Sequence, residues 1–111
     1  MTTQLRMKKE FIEFVKNGTK RATTRLKQKK NGEYELVSGS YYKPIKSGII
    51  VRIHSYHAWK LNELSNHDKE VYAKDEGFSS FKEFWDVLKE INKDKLTEDT
   101  LVYTHWFEVV K

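Results

Sequence analysis

A chain of 111 residues suits one domain, 1–111, and excludes a multidomain enzyme. Hydrophobic residues make up 38% and charged residues 33%, with one proline and five glycines, a globular composition rather than a disordered or collagen-like one. Cysteine is absent, which excludes disulfides, thiolate metal sites and cysteine nucleophiles, and the net charge of +5 directs attention to acidic partners.

That charge is unevenly placed. Residues 1–30 hold ten Lys/Arg against two Glu, net +8, whereas residues 31–60 carry +2 and residues 61–111 carry −5. A basic first third concentrates polyanions, so RNA or a nucleotide is the partner that charge suggests; a solvated lysine-rich surface gives the same totals. No apolar run approaches the ~20 residues of a membrane span. The start MTTQLRMKKEF lacks the apolar stretch of a secretory leader. No membrane association is expected, and the lack of cysteine fits a reducing, cytoplasmic location.

In chain order, Met7, Phe11, Phe14 and Val15 fall on one stripe of a helix over 5–17, with Thr2 or Thr3 as its cap and Asn17-Gly18 as its end. Residues 20–27 are threonine-rich and alternate weakly, predicting a strand that starts near Ala22. Asn31-Gly32 in the following turn is a hairpin signal. Residues 34–42 read as extended, with Gly39 as a bulge or a second turn. The β-branched run 48–56 is the strongest strand and is expected at the centre of the sheet. Ser65 with Asp68, and Ser80 with Glu83, stand at capping-box spacing before two helices, one over about 66–75 closed by Gly77 and one ending near residue 91. In the second, Phe81, Phe84, Trp85, Leu88 and Ile91 form an apolar stripe. The closing strand within 101–110 carries large residues on both faces, as a strand covered on both sides does. This order of elements gives an α+β class. A small, partly open β-barrel flanked by about three helices accommodates the short strands without long bare edges, although periodicity alone does not separate it from an open sheet.

The segment Gly18-Thr19-Lys20-Arg21-Ala22-Thr23-Thr24-Arg25 concentrates three cations and several hydroxyls just past a helix end. Guanidinium forks and a lysine point charge suit phosphate or the polar edge of a base, while an exposed basic strand start is the plainer alternative. His54 and His57 lie three apart on a strand and face opposite ways; His67 and His105 lack partners at ligand spacing. No metal site and no cofactor are expected. Tyr34, Tyr41, Tyr42, Tyr56, Trp59, Tyr103 and Trp106 have the chemistry to stack on bases, though most are expected in the core or as ordinary surface aromatics.

The pattern G-x-K-x-x-T-x-R after an amphipathic helix, followed by Leu61-Asn62-Glu63-Leu64, by Ala73-Lys74-Asp75-Glu76-Gly77-Phe78 and by a closing Phe107-Glu108-Val109-Val110, resembles the ASCH domain family, a relative of the PUA-like RNA-binding barrels. The likeness covers nearly the whole chain. It fails over residues 28–47, which follow no family pattern, and at Gly48-Ile49, where many members have Gly-Asp. One branch of the family removes the acetyl group of N4-acetylcytidine with a Lys, a Thr and a Glu, and others are thought to bind RNA. The resemblance thus implies binding of RNA or a cytidine-like nucleoside in a basic cleft, with amidohydrolase action on the N4-acyl group. Lys20, Thr23 and Glu76 would be catalytic, and Gly18, Arg21 and Arg25 would bind the ligand. The alternatives are a non-catalytic RNA-binding module or a regulatory protein-interaction adaptor that uses the acidic C-terminal half. A monomer is favoured, although nothing in the sequence fixes the oligomeric state.

Physical chemistry sets conditions on that triplet. Lys20 acts as nucleophile or base only as the neutral amine, which the cations Arg21 and Arg25 would favour. Glu76, at the negative end of its helix, is suited to give a proton to a leaving amine. Thr23, three residues from Lys20, falls on the other face of an ideal strand, so residues 18–21 must turn before the strand begins.

Overall fold

The computed structural model describes residues 3–93 and 95–110. The chain opens with a strand, β1 (Thr3–Arg6), and the first helix, α1 (Lys9–Lys16), begins later than the apolar stripe predicts. Leu5 is drawn into the sheet, where it pairs in parallel register with Leu36. Lys8 takes the N-cap position of α1 without a side-chain cap bond. Thr3 is therefore a strand residue and not a cap, and Thr2 lies outside the described residues. α1 buries Ile12 and Val15 and ends at Asn17. Gly18 follows at φ +83°, the left-handed turn that a glycine makes without a Cβ clash.

β2 (Ala22–Arg25), β3 (Gly32–Gly39), β4 (Pro44–Trp59) and β5 (Val102–Val109) complete a mixed sheet in the order β1-β3-β4-β5-β2. Only the β1–β3 pairing is parallel. Asn31-Gly32 does not fold β2 onto β3: β2 pairs instead with β5, Thr23 opposite His105, and the hairpin joins β3 to β4 past Gly39. At Gly39 φ is +83° and an added Cβ would sit 2.8 Å from the Lys43 carbonyl, so this turn demands glycine. β4 is central, as expected, but begins at Pro44 because β3 keeps pairing with it well before the β-branched run. A bulge between Ile53 and Ser55 bends it. The edge strands β1 and β2 do not pair with each other. The result is an α+β fold whose barrel stays open along that seam.

After a single 3-10 turn (Leu61–Glu63) come α2 (Asn66–Asp75) and α3 (Phe81–Ile91). The hydroxyls of Ser65 and Ser80 accept from the Asp68 and Glu83 N–H groups at 3.1 and 3.2 Å, the caps that the spacing predicts. Two apolar clusters form. One, around Leu5, Ile12, Leu36, Val51 and Phe107, lies under α1; the other, around Trp59, Tyr72, Phe84, Leu88 and Val102, lies under α2 and α3. Each fully buried side chain of this kind contributes about 1.5–3 kcal/mol. The open seam between β1 and β2 falls where the two clusters meet, and a cavity lined by Met7 and Phe11 of one and by Phe84 and Leu88 of the other occupies it.

Candidate active site

Two helix ends set the geometry. Gly77, at φ +91°, terminates α2, with its N–H on Lys74 O and the Phe78 N–H on Ala73 O. The segment after α1 crosses this end: Lys20 N–H donates to Phe14 O at 3.0 Å, and Arg21 N–H donates to Asp75 O at 2.6 Å. These two bonds, with Gly18, supply the turn that strand alternation requires before Ala22. They carry Lys20 directly over Glu76.

The two side chains meet in the interior. Lys20 Nζ lies 2.5 Å from Glu76 Oε1 and 3.3 Å from the Glu76 carbonyl, with Lys20 4% and Glu76 3% exposed. The ammonium also lies 5.3 Å from the centre of the Phe11 ring, an attractive cation–π placement. The other carboxylate oxygen, Oε2, accepts from Thr24 Oγ1 at 2.5 Å. Thr24 Oγ1 is 2.7 Å from Thr104 Oγ1, which in turn accepts from Trp59 Nε1 at 2.7 Å. Each hydroxyl has one proton to give. With the Thr24 proton committed to the carboxylate, the chain runs from the Trp59 indole through Thr104 and Thr24 to Glu76.

Thr23 also lines the cavity, but its hydroxyl does not bond to the carboxylate. Its hydroxyl accepts from Arg25 Nε at 3.2 Å, while Arg25 Nη2 donates to the Arg6 carbonyl at 2.6 Å and so bridges β2 to β1 across the open seam. Burial pushes the Arg25 guanidinium below its ordinary value, Glu76 opposes that shift, and Arg6 adds to it. Behind Thr23, the His105 ring is fully enclosed. Its Nε2 accepts from the Lys29 N–H at 2.8 Å and its Nδ1 lies 3.3 Å from the Thr23 carbonyl, contacts that suit a neutral ring protonated on Nδ1. Burial lowers its proton affinity, and Arg25 and Lys29 lower it further.

Of the residues singled out from the sequence, Lys20, Thr23, Arg25 and Glu76 line the cavity. Arg21 and Gly18 do not. Arg21 turns outward to Asp75 Oδ1 at 2.9 Å, and Asp75 Oδ2 accepts from Trp106 Nε1 at 2.9 Å; Gly18 shapes the backbone. The cations sharing the cavity with Lys20 thus include Arg25, with Arg6 and Lys8, but not Arg21. Thr24, Arg6 and Phe11 are not among the site residues expected from the sequence. The doubled Thr23-Thr24 was the available signal, since consecutive strand residues face opposite sides and one of the two had to point at the helices.

The cavity measures about 520 Å³, within the range of small-molecule sites. Lys20, Thr24, Arg25 and Glu76 line it together, Arg6, Lys8 and Asn92 add further polar groups, and Phe11, Phe78, Phe84 and Leu88 supply apolar walls. Such a shape accommodates a flat, partly polar ring against aromatic walls. At rest the amine and carboxyl form an ion pair, so a basic Lys20 requires its proton to pass to Glu76 Oε1. Among the described residues no group of His, Asp and Glu is arranged to hold a metal ion, and no helix is long and apolar enough to cross a membrane.

Neither a protein-family model nor a curated protein matches the sequence. Solved structures do match in three dimensions. Protein EF3133 from Enterococcus faecalis V583, described under family model DUF984, superposes with a TM-score of 0.67 at 18% identity, over 99% of this chain and 81% of its own. Hypothetical protein PH0355 gives a TM-score of 0.63 at 17% identity, over 99% of this chain and 100% of its own. An ASCH domain from Lactobacillus crispatus JV V101 gives 0.53 at 21% identity, over 88% of this chain and 69% of its own. At these identities the likeness is one of architecture, and the chain has the fold of an ASCH domain.

Proposed function

We propose that this protein binds a cytidine-type nucleoside in the seam cavity and hydrolyses an acyl amide at its N4 position. The observation that carries the reading is the buried Lys20–Glu76 contact at 2.5 Å, facing a cavity of nucleoside size. A buried ion pair contributes little to stability compared with apolar residues of the same volume, so its position at the wall of a cavity supports a chemical role.

In the proposed reaction the Lys20 proton passes to Glu76, and the neutral amine then takes a proton from water as the oxygen adds to the acyl carbonyl. The regenerated ammonium and the Arg25 guanidinium stabilise the oxyanion. Collapse of the tetrahedral adduct breaks the C–N bond as Glu76 returns its proton to N4, releasing the carboxylic acid and the free cytidine amine. Thr24, bonded to Oε2, orients the carboxyl; Thr23 holds Arg25 in place.

The test is turnover of N4-acetylcytidine followed by its change in ultraviolet absorbance. The wild type is expected to turn over, with Lys20→Ala and Glu76→Gln each losing about 100-fold or more in kcat. Thr24→Val should lower kcat more than Thr23→Val. No turnover at micromolar enzyme, or equal turnover after Lys20→Ala, would remove the mechanism. Binding retained without turnover would leave a non-catalytic module.

A further inference from the structure

We infer that the tip of the β3–β4 hairpin is a stacking platform for a single-stranded polynucleotide leading out of the cavity, and that Arg6 holds the phosphate between the enclosed nucleotide and the next base. This rests on the reading that the cavity takes a nucleoside. It extends that reading from a free nucleoside to one within a chain.

Tyr41 and Tyr42 stand at the tip with 78% and 90% of their surfaces exposed. Their rings meet edge to face at 5.5 Å, and neither belongs to an apolar cluster. A pair of bare aromatic rings beside a cationic groove is the arrangement that single-stranded nucleic acid sites use. Residues 40–47 carry Lys43 and Lys46 and no acidic residue, so the charge complements a phosphodiester backbone.

Arg6 links the tip to the cavity. It lines the cavity together with Gly39, its guanidinium carbon lies 5.4 Å from the Tyr41 ring centre, and its Nη2 donates to Ser40 O at 3.4 Å. Its Nε is buried and, among the described residues, has no hydrogen-bond partner. A buried donor left unpaired is costly, and a phosphate oxygen at the cavity mouth would satisfy it.

The test is fluorescence anisotropy with a labelled short oligonucleotide centred on cytidine, as RNA and as DNA, with free cytidine as competitor. Wild type should bind the oligonucleotide more tightly than cytidine. Tyr41→Ala and Tyr42→Ala, both at exposed positions, should each weaken the oligonucleotide on the order of tenfold and leave the cytidine inhibition constant unchanged. Arg6→Met should lower the salt dependence of oligonucleotide binding by about one phosphate contact. Oligonucleotide affinity unmoved by both tyrosine variants while cytidine still competes would overturn the platform alone. Tyrosine-dependent binding with which cytidine does not compete would support the platform and sink the nucleoside reading. Absence of all binding would overturn both. The RNA and DNA arms identify which polymer is preferred.

Discussion

Replacing Glu76 by leucine leaves the Lys20 ammonium enclosed at 4% exposure with only a carbonyl and the Phe11 ring as neighbours. Removing one partner of a buried pair costs about 3–5 kcal/mol, because the surviving buried charge is left without its counter-ion. Thr24 also loses its acceptor on Oε2, though it keeps Thr104. A domain of this length is stable by roughly 6–17 kcal/mol, so the single change removes about a fifth to most of that. Adding Lys20→Met to Glu76→Leu removes the stranded charge. The double variant should return to wild-type stability or exceed it by about 1–4 kcal/mol, while having no activity. Urea unfolding of wild type, both single variants and the double variant gives the coupling energy directly. A cost under about 1 kcal/mol for Glu76→Leu, the size expected of a solvated surface pair, would refute the reasoning, as would a double variant no more stable than Glu76→Leu.

Two other substitutions probe the surroundings of the pair. Thr104→Val keeps the shape but strands the Trp59 indole N–H and ends the relay to Thr24; urea midpoints should register a loss of about 1–3 kcal/mol. Because burial lowers the His105 pKa, the unfolded chain binds a proton that the fold excludes between the ordinary histidine value near 6.5 and the lower folded value. Stability therefore rises with pH across that window and is lost as pH falls through it. His105→Gln should flatten the pH profile of the urea midpoint near pH 6, and an unchanged slope would show that the ring is not protected from protonation.

Local signals in the sequence were sufficient where local contacts decide the structure. Ser65 and Ser80 mark the starts of α2 and α3 because their hydroxyls accept from N–H groups three residues away, and the β-branched run sits in the central strand. Non-local pairing is where the reading strayed. The helix expected over 5–17 from the stripe of Met7, Phe11, Phe14 and Val15 takes in Leu5, yet Leu5 pairs beside Leu36 in the sheet. Asn31-Gly32 signals a hairpin, but β2 is claimed by β5, some eighty residues downstream. At the site, the motif brought forward Lys20 and Glu76, which touch. It pointed to Thr23 where the hydroxyl on the carboxylate belongs to Thr24, because adjacent strand residues differ in face and nothing local states which face meets α2. Arg6 was illegible for the same reason, since its place beside Arg25 depends on two edge strands approaching without pairing.

The central claim is that a nucleoside occupies the seam between β1 and β2. Titration of the isotope-labelled protein with cytidine, followed by nuclear magnetic resonance, tests it most directly. Saturable shifts should gather at Lys20, Thr24, Arg25, Glu76 and the Phe84 ring. Shifts confined to the groove between α2 and α3 around Lys69 and Phe81, or no shifts at millimolar cytidine, would contradict it.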